Sequence, residues 1–172
     1  MRLTEPVGPA QLSLGALALI LALAAIGGAW AFQLIGGYQP CALCLEQREP
    51  YYVGLPLLII ALAITKRMPE ARFTRLLYLL FAAIFAYGFA LAAYHAGAEW
   101  QFWAGPTDCG STVEMTTDAS SLLTQLQGIK LVSCTEAAGR FLGISFAGWN
   151  AVATLAVTLL GLKAAFGAAG RD

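Results

Sequence analysis

The chain has 172 residues, 59% of them hydrophobic and only 12% charged, and its ten basic and ten acidic residues cancel. An ordinary soluble domain is about one-quarter charged, so this composition argues against a conventional soluble globule and fits a single compact unit solvated largely by lipid. A net charge of zero gives no support to a nucleic-acid partner.

The first eleven residues carry Arg2, Glu5, Pro6 and Pro9. The apolar run that follows, Leu12 to Phe32, is 21 residues without a charge. It is too long for a typical signal-peptide core and long enough to cross a bilayer of about 30 Å as a helix. Gly27 and Gly28 near its end suit close helix packing or a loosened turn, and Gly36-Gly37 should end it.

Next comes Pro40-Cys41-Ala42-Leu43-Cys44-Leu45-Glu46-Gln47-Arg48. A Cys-x-x-Cys pair closes into a small disulfide and reopens, with a reactivity set by how well one sulfur is held as thiolate. Helical backbone through this stretch puts Cys44 and Arg48 on one face. A guanidinium there favours the thiolate and offers hydrogen bonds to a bound oxygen. The second apolar run, Pro50 to Thr65, has only 16 residues. Extending it back to Cys44 gives 22 residues, about 33 Å of helix, so Cys44 and Arg48 are expected at its headgroup end. Pro50 predicts a break or kink there.

A basic loop, Lys66 to Arg72, leads to a third run, Phe73 to Tyr94, where Arg75 is expected to snorkel back towards the loop. The polar stretch His95 to Arg140 follows. Within it Leu122, Leu123, Leu126 and Ile129 form an amphipathic stripe after Asp118, and such a helix would lie on the bilayer surface. Ser133-Cys134-Thr135-Glu136 matches a capping box, which predicts Cys134 in the first turn of a helix. The last run, Phe141 to Phe166, holds Asn150 as its one strongly polar residue.

The expectation is an all-α membrane protein: a four-transmembrane-helix bundle forming one domain over 1–172, with a short amphipathic outer helix. Its spans are placed at about 12–32, 44–65, 73–94 and 141–166, and its outer loops at about 33–49 and 95–140. Seven of the ten basic residues (Arg2, Lys66, Arg67, Arg72, Arg75, Lys163, Arg171) fall on the side of the termini, against Arg48, Lys130 and Arg140 on the other. The positive-inside rule then predicts cytoplasmic termini. All four cysteines, Cys41, Cys44, Cys109 and Cys134, would face an oxidising compartment, and counting leaves three pairings open. Cys41–Cys44 is also a zinc half-site. Cys109 and Cys134, however, are separated by 24 residues rather than the two to four of structural half-sites, so no metal is expected.

Three stretches carry a resemblance that spans nearly the whole chain: Pro40 to Arg48, Tyr94-His95-Ala96-Gly97-Ala98-Glu99-Trp100, and Leu142-Gly143-Ile144-Ser145-Phe146-Ala147-Gly148-Trp149-Asn150. In these the chain resembles the disulfide bond formation protein B family of bacterial inner-membrane thiol oxidases. The resemblance implies redox-active disulfides Cys41–Cys44 and Cys109–Cys134. Cys109 would be the sulfur attacked by a periplasmic thioredoxin-fold oxidase of the DsbA type. It further implies a membrane quinone, ubiquinone or menaquinone, held beside Cys44 by Arg48 with His95 close by. The implied activity is a quinone-dependent disulfide oxidoreductase of the inner membrane that supports disulfide formation in exported proteins. Two alternatives stand beside it: a non-catalytic scaffold stapled by structural disulfides, and an oxidoreductase of the vitamin K epoxide reductase type. The latter would carry its Cys-x-x-Cys at the end of a later helix.

Overall fold

The computed structural model describes residues 6–68, 73–106 and 130–168. Four helices run up and down through the molecule: α1 (Pro9–Leu34), a second helix broken into α2 (Ala42–Glu46) and α3 (Glu49–Arg67), α4 (Thr74–Glu99) and α5 (Phe146–Phe166). All four are long and apolar enough to cross a membrane when α2 and α3 are taken together. Large apolar side chains such as Ile20, Val53, Ile60, Leu80 and Leu159 are exposed on the outside of the bundle. Buried polar groups are costly in a lipid solvent and exposed apolar ones are not, so this surface is stable only in a bilayer.

The core is built from small and aromatic residues. Ala18, Ala22, Leu58, Ala61, Phe81, Phe85, Val157 and Ala164 have no exposed surface. Phe85 meets Tyr51 edge-on at 5.1 Å and Phe81 at 4.7 Å between ring centroids. Glycine decides how closely two of the pairs approach. A Cβ on Gly54 would come within 2.6 Å of the Phe85 ring, and one on Gly161 within 3.0 Å of Ala82 and Phe81. A Cβ on Gly27 or Gly28 would meet nothing within 4 Å, so close packing falls to glycines deeper in the bundle.

At the end where α1 and α4 begin and α5 finishes, Arg75 is fully buried. It donates to the carbonyls of Ala165 at 2.9 Å, Gly167 at 2.7 Å and Pro6 at 3.0 Å. The expected snorkelling is replaced by a clamp. The last carbonyls of α5 have no helical partner and carry the negative end of the dipole, so an inward guanidinium satisfies both. Gln11, also fully buried, adds bonds of 3.1 Å to Gly167 and Ala168.

The other end carries two short ladders. Strand β1 (Tyr38–Gln39) pairs in parallel with β2 (Lys130–Leu131), in the register Tyr38 to Lys130 and Gln39 to Leu131. Strands β3 (Arg140–Phe141) and β4 (Ile144–Ser145) form a hairpin. Its two turn residues, Leu142 at φ 53° and Gly143 at φ 82°, have the left-handed backbone of a tight type I′ turn. The fourth helix therefore starts at Phe146, not Phe141. Ser145 caps it by accepting the Gly148 N–H at 3.1 Å. The third helix runs past Tyr94 to Glu99, which takes His95 into its last turn. No helix starts at Cys134. Residues 132–139 are irregular, and the Ser133 hydroxyl accepts the Thr135 N–H at 3.1 Å in a local turn. The amphipathic stripe around Leu126 and Cys109 lie outside the described residues.

Arg75→Ala should cost about 3 kcal/mol or more, because three buried carbonyls lose a charged donor. Arg75→Lys should recover only part of this, having a point charge in place of a planar fork. Thermal unfolding in detergent, followed by circular dichroism, checks both.

Candidate functional site: a cysteine cluster beside an apolar cavity

The backbone after α1 sets the site. Gly37 turns the chain at φ 71°, β1 comes next, and Cys41 becomes the N-cap of α2 with extended backbone. Its sulfur accepts the Cys44 N–H at 3.2 Å. Because β1 pairs in parallel with β2, the two strands lead their successors, Cys41 after β1 and Cys134 after β2, to the same place. Both cysteines are fully buried. Their sulfurs and a ring nitrogen of His95 all lie within 4.8 Å of one another. Cys41 and Cys134, 93 positions apart in the chain, thus meet beside His95.

Cys41 and Cys44 carry free thiols, and Cys44 is half-buried. A hydrogen bond with Cys44, reinforced by burial, pushes the Cys41 thiol up to about 12 from its ordinary 9.0. At neutral pH Cys41 therefore keeps its proton while reduced.

The expected single helix from Cys44 through Arg48 is interrupted. α2 stops at Glu46 and α3 starts at Glu49, with Pro50 in its first turn. Gln47 and Arg48 form the tighter turn between them, where the Arg48 N–H reaches back to Leu45 at 2.9 Å. Pro50 lacks an N–H and disfavours helical geometry before it, so the break falls where a proline belongs, at a helix start. Cys44 and Arg48 nevertheless line the same cavity. Arg48 is buried, donates to Gln33 at 2.7 Å and lies 5.0 Å above the Trp30 ring, so α1 holds it by a hydrogen bond and a cation–π contact.

The cavity has a volume of about 530 Å³. Leu21, Ala25, Ala29 and Phe32 of α1 supply much of its apolar wall. Leu21, Phe32 and Phe146 line it and are also exposed on the bundle surface, so its mouth is apolar. The polar groups on its wall are concentrated in Cys44, Gln47, Arg48, Tyr51, His95, Glu99 and Asn150.

Four of these form one chain of hydrogen bonds across three helices. Tyr51 donates to Asn150 Oδ1 at 2.6 Å, and Asn150 Nδ2 donates to Gln47 Oε1 at 2.8 Å. Gln47 Nε2 lies 3.1 Å from the Leu43 carbonyl and 2.7 Å from His95 Nδ1. The Leu43 carbonyl accepts only, so that end of the Gln47 amide is the nitrogen. His95 Nδ1 is then an acceptor and the ring proton sits on Nε2. Among the described residues, His95 Nε2 and Glu99 Oε2 are the two buried polar atoms of this region with no hydrogen-bond partner.

Of the residues singled out from sequence, Cys41, Cys44, Cys134, Arg48 and His95 come together, and Cys109 lies outside the described residues. Gln47, Tyr51 and Glu99 were not singled out. Glu99 stands one helical turn after His95, a spacing that would have flagged it had the helix been expected to run that far. Asn150 was noted only as an interhelical polar residue.

A four-helix membrane bundle with buried cysteines gathered beside an apolar cavity at one end defines a class of membrane thiol proteins. The family model for disulfide bond formation protein DsbB matches residues 11–164, and the chain belongs to that family. It is a multi-pass membrane protein of disulfide bond formation, which disfavours both the scaffold reading and the vitamin K epoxide reductase-like reading. Comparison with curated proteins and with solved structures finds no match.

Labelling of the reduced protein with pulses of iodoacetamide should modify Cys44 before Cys41. The Cys41 rate should still climb about tenfold per pH unit above pH 9, since only the thiolate reacts and its fraction grows in that proportion below the pKa. Mass-spectrometric peptide mapping reads both rates, and a Cys41 plateau near pH 9 would contradict the raised thiol.

Proposed function

We propose that this protein reoxidises a periplasmic thioredoxin-fold dithiol oxidase of the DsbA type and passes the electrons to a quinone of the bacterial inner membrane. One observation carries the reading: the sulfur of Cys134 lies beside that of Cys41, while the neighbouring Cys44 lines an apolar cavity with Arg48 and His95.

In this reading Cys109 and Cys134 form the disulfide that meets the partner. The partner's thiolate attacks Cys109, and Cys134 leaves. Cys134 then attacks Cys41 of the Cys41–Cys44 disulfide, and Cys44 leaves as thiolate. Each step is an exchange of one sulfur for another. Cys41 is suited to being attacked, because it lies beside Cys134, and Cys44 is suited to leaving, because it faces the cavity.

The cavity's residues fit a quinone. Its wall is apolar for a flat hydrophobic ring and tail, and Arg48 offers permanent N–H donors to a ring oxygen. A quinone bound there would accept two electrons and two protons. Arg48 would stabilise negative charge developing on oxygen, and Gln33 and Trp30 hold it in position for that. The apolar mouth suits a ligand arriving from the lipid. The sidedness rests on the seven-to-three division of basic residues: cytoplasmic termini, with the cysteine end in the periplasm.

Purified protein mixed with a reduced thioredoxin-fold partner and a soluble quinone tests the whole scheme through loss of quinone absorbance. Cys44→Ser should abolish quinone reduction while Cys109–Cys134 still exchanges once with the partner, whereas sustained turnover would remove Cys44 from the pathway. Arg48→Ala should cost about 2–4 kcal/mol in kcat/KM for the quinone and leave the partner's KM nearly unchanged. Arg48→Lys should recover part of the loss. Reporter fusions after Ala71 and after Gln125 should report opposite sides of the membrane.

A further inference from the structure

Glu99 ends α4, is 8% exposed, and lines the cavity. Among the described residues, its Oε2 has no hydrogen-bond partner, and neither has the Nε2 of His95 one turn earlier. The closest approach of the two side chains, Nε2 to Oε1, is 3.9 Å, too long for a direct hydrogen bond. Leaving a buried carboxyl oxygen and a buried ring N–H both unmatched is costly. Both residues line the cavity, while the two atoms themselves are covered by protein.

We propose that Glu99 is the proton-transfer residue of the cavity, its carboxylate taking a proton released as the Cys41 and Cys44 thiols close to a disulfide and returning it to the oxygen of the bound ligand. The proposal rests on the quinone reading above. When two thiols close to a disulfide they release two electrons and two protons, and a quinone becoming a hydroquinone takes up two of each. The electrons pass through sulfur, and the protons need carriers. Arg48 does not give up its proton. The Tyr51 hydroxyl is committed to Asn150, and Tyr38 packs its ring on Phe32. Among the described residues of the wall, Glu99 is the carboxylate able to take and return a proton.

His95 supports this role. The Gln47 amide occupies Nδ1 and leaves the ring proton on Nε2, so His95 turns an N–H, not a base, towards Glu99 Oε1 at 3.9 Å and favours its carboxylate. A ring nitrogen of the same residue lies within 4.8 Å of the Cys41 and Cys134 sulfurs. The path runs from the closing Cys41–Cys44 pair to the Glu99 carboxylate and on to the ligand oxygen, with Cys44 and Glu99 on the wall of the same cavity. The titratable and charged groups around Glu99 are Cys41 and Cys44 at α2, Cys134 after β2, His95 on its own helix, and Arg48 on the shared cavity wall.

The test uses the full chain in nanodiscs with decylubiquinone as the probe. Quenching of tryptophan fluorescence measures binding, since Trp149 lines the cavity. Stopped-flow absorbance measures quinone reduction by pre-reduced protein at several pH values. Infrared difference spectra on adding the quinone read carboxyl bands. Glu99→Gln should keep the quinone Kd within about twofold and slow reduction roughly 10²-fold. It should also remove an ionisation from the pH–rate profile and erase a carboxylic-acid band that the unsubstituted protein shows. Glu99→Asp should restore part of the rate and the band. Reduction by Glu99→Gln at the unsubstituted rate across the pH range overturns the proposal. So does a loss of affinity as large as the loss of rate, which would make Glu99 a ligand-holding group. Should Glu99→Gln fail to fold, a quinone-induced spectrum of the unsubstituted protein with no carboxyl change, or an unshifted pH profile in Glu99→Asp, overturns it equally. Absence of quenching in the unsubstituted protein would instead sink the quinone reading itself, and this proposal with it.

Discussion

Inside a bilayer a polar group has no water to fall back on, and each must find its partner within the protein. The molecule meets that constraint at its two ends. At one, Arg75 and Gln11 close the open carbonyls of α5 and tie the start of α1 to it. At the other, Tyr51, Asn150, Gln47 and His95 form a continuous chain across α3, α5, the α2–α3 turn and α4. Between them the helices meet through alanine, glycine and phenylalanine, which pack closely but say little about register. The hydrogen-bonded ends supply the rotational and axial specificity that such greasy faces lack.

The same constraint makes the cavity informative. Near it the rule of satisfied polar groups fails at His95 Nε2 and Glu99 Oε2, and both residues border space large enough for a ligand. A buried polar atom without a partner is most economically explained where a binding partner is expected. The break between α2 and α3 serves this arrangement. Across it Gln47 reaches His95 and Asn150 while Arg48 turns to Gln33 and the cavity.

The cysteines depend on a different and weaker interaction. Cys134 is carried to Cys41 by a parallel ladder only two residue pairs long, extended by the Val132 N–H to the Gln39 carbonyl at 3.3 Å. Ladders of this size are marginal by themselves. On the Cys41 side the bundle supplies rigidity through the N-cap of α2.

Sequence alone determined the membrane class, the existence of the four helices and the family. Hydropathy and local motif chemistry are sums over neighbouring residues, and neighbours in sequence are known. Arg48 and His95 were legible too, through helical spacing from Cys44 and the family resemblance. Tertiary structure decided what depends on how helices are rotated and where loops return. It turned Arg75 inward, moved the start of the last helix to Phe146 behind a hairpin, and extended α4 to bring Glu99 onto the cavity wall. It also paired Gln47 with Asn150, 103 positions away, and set Cys134 beside Cys41 through a strand that no hydropathy pattern marks. Those outcomes rest on contacts between distant residues, whose energies appear only once the chain has folded back on itself.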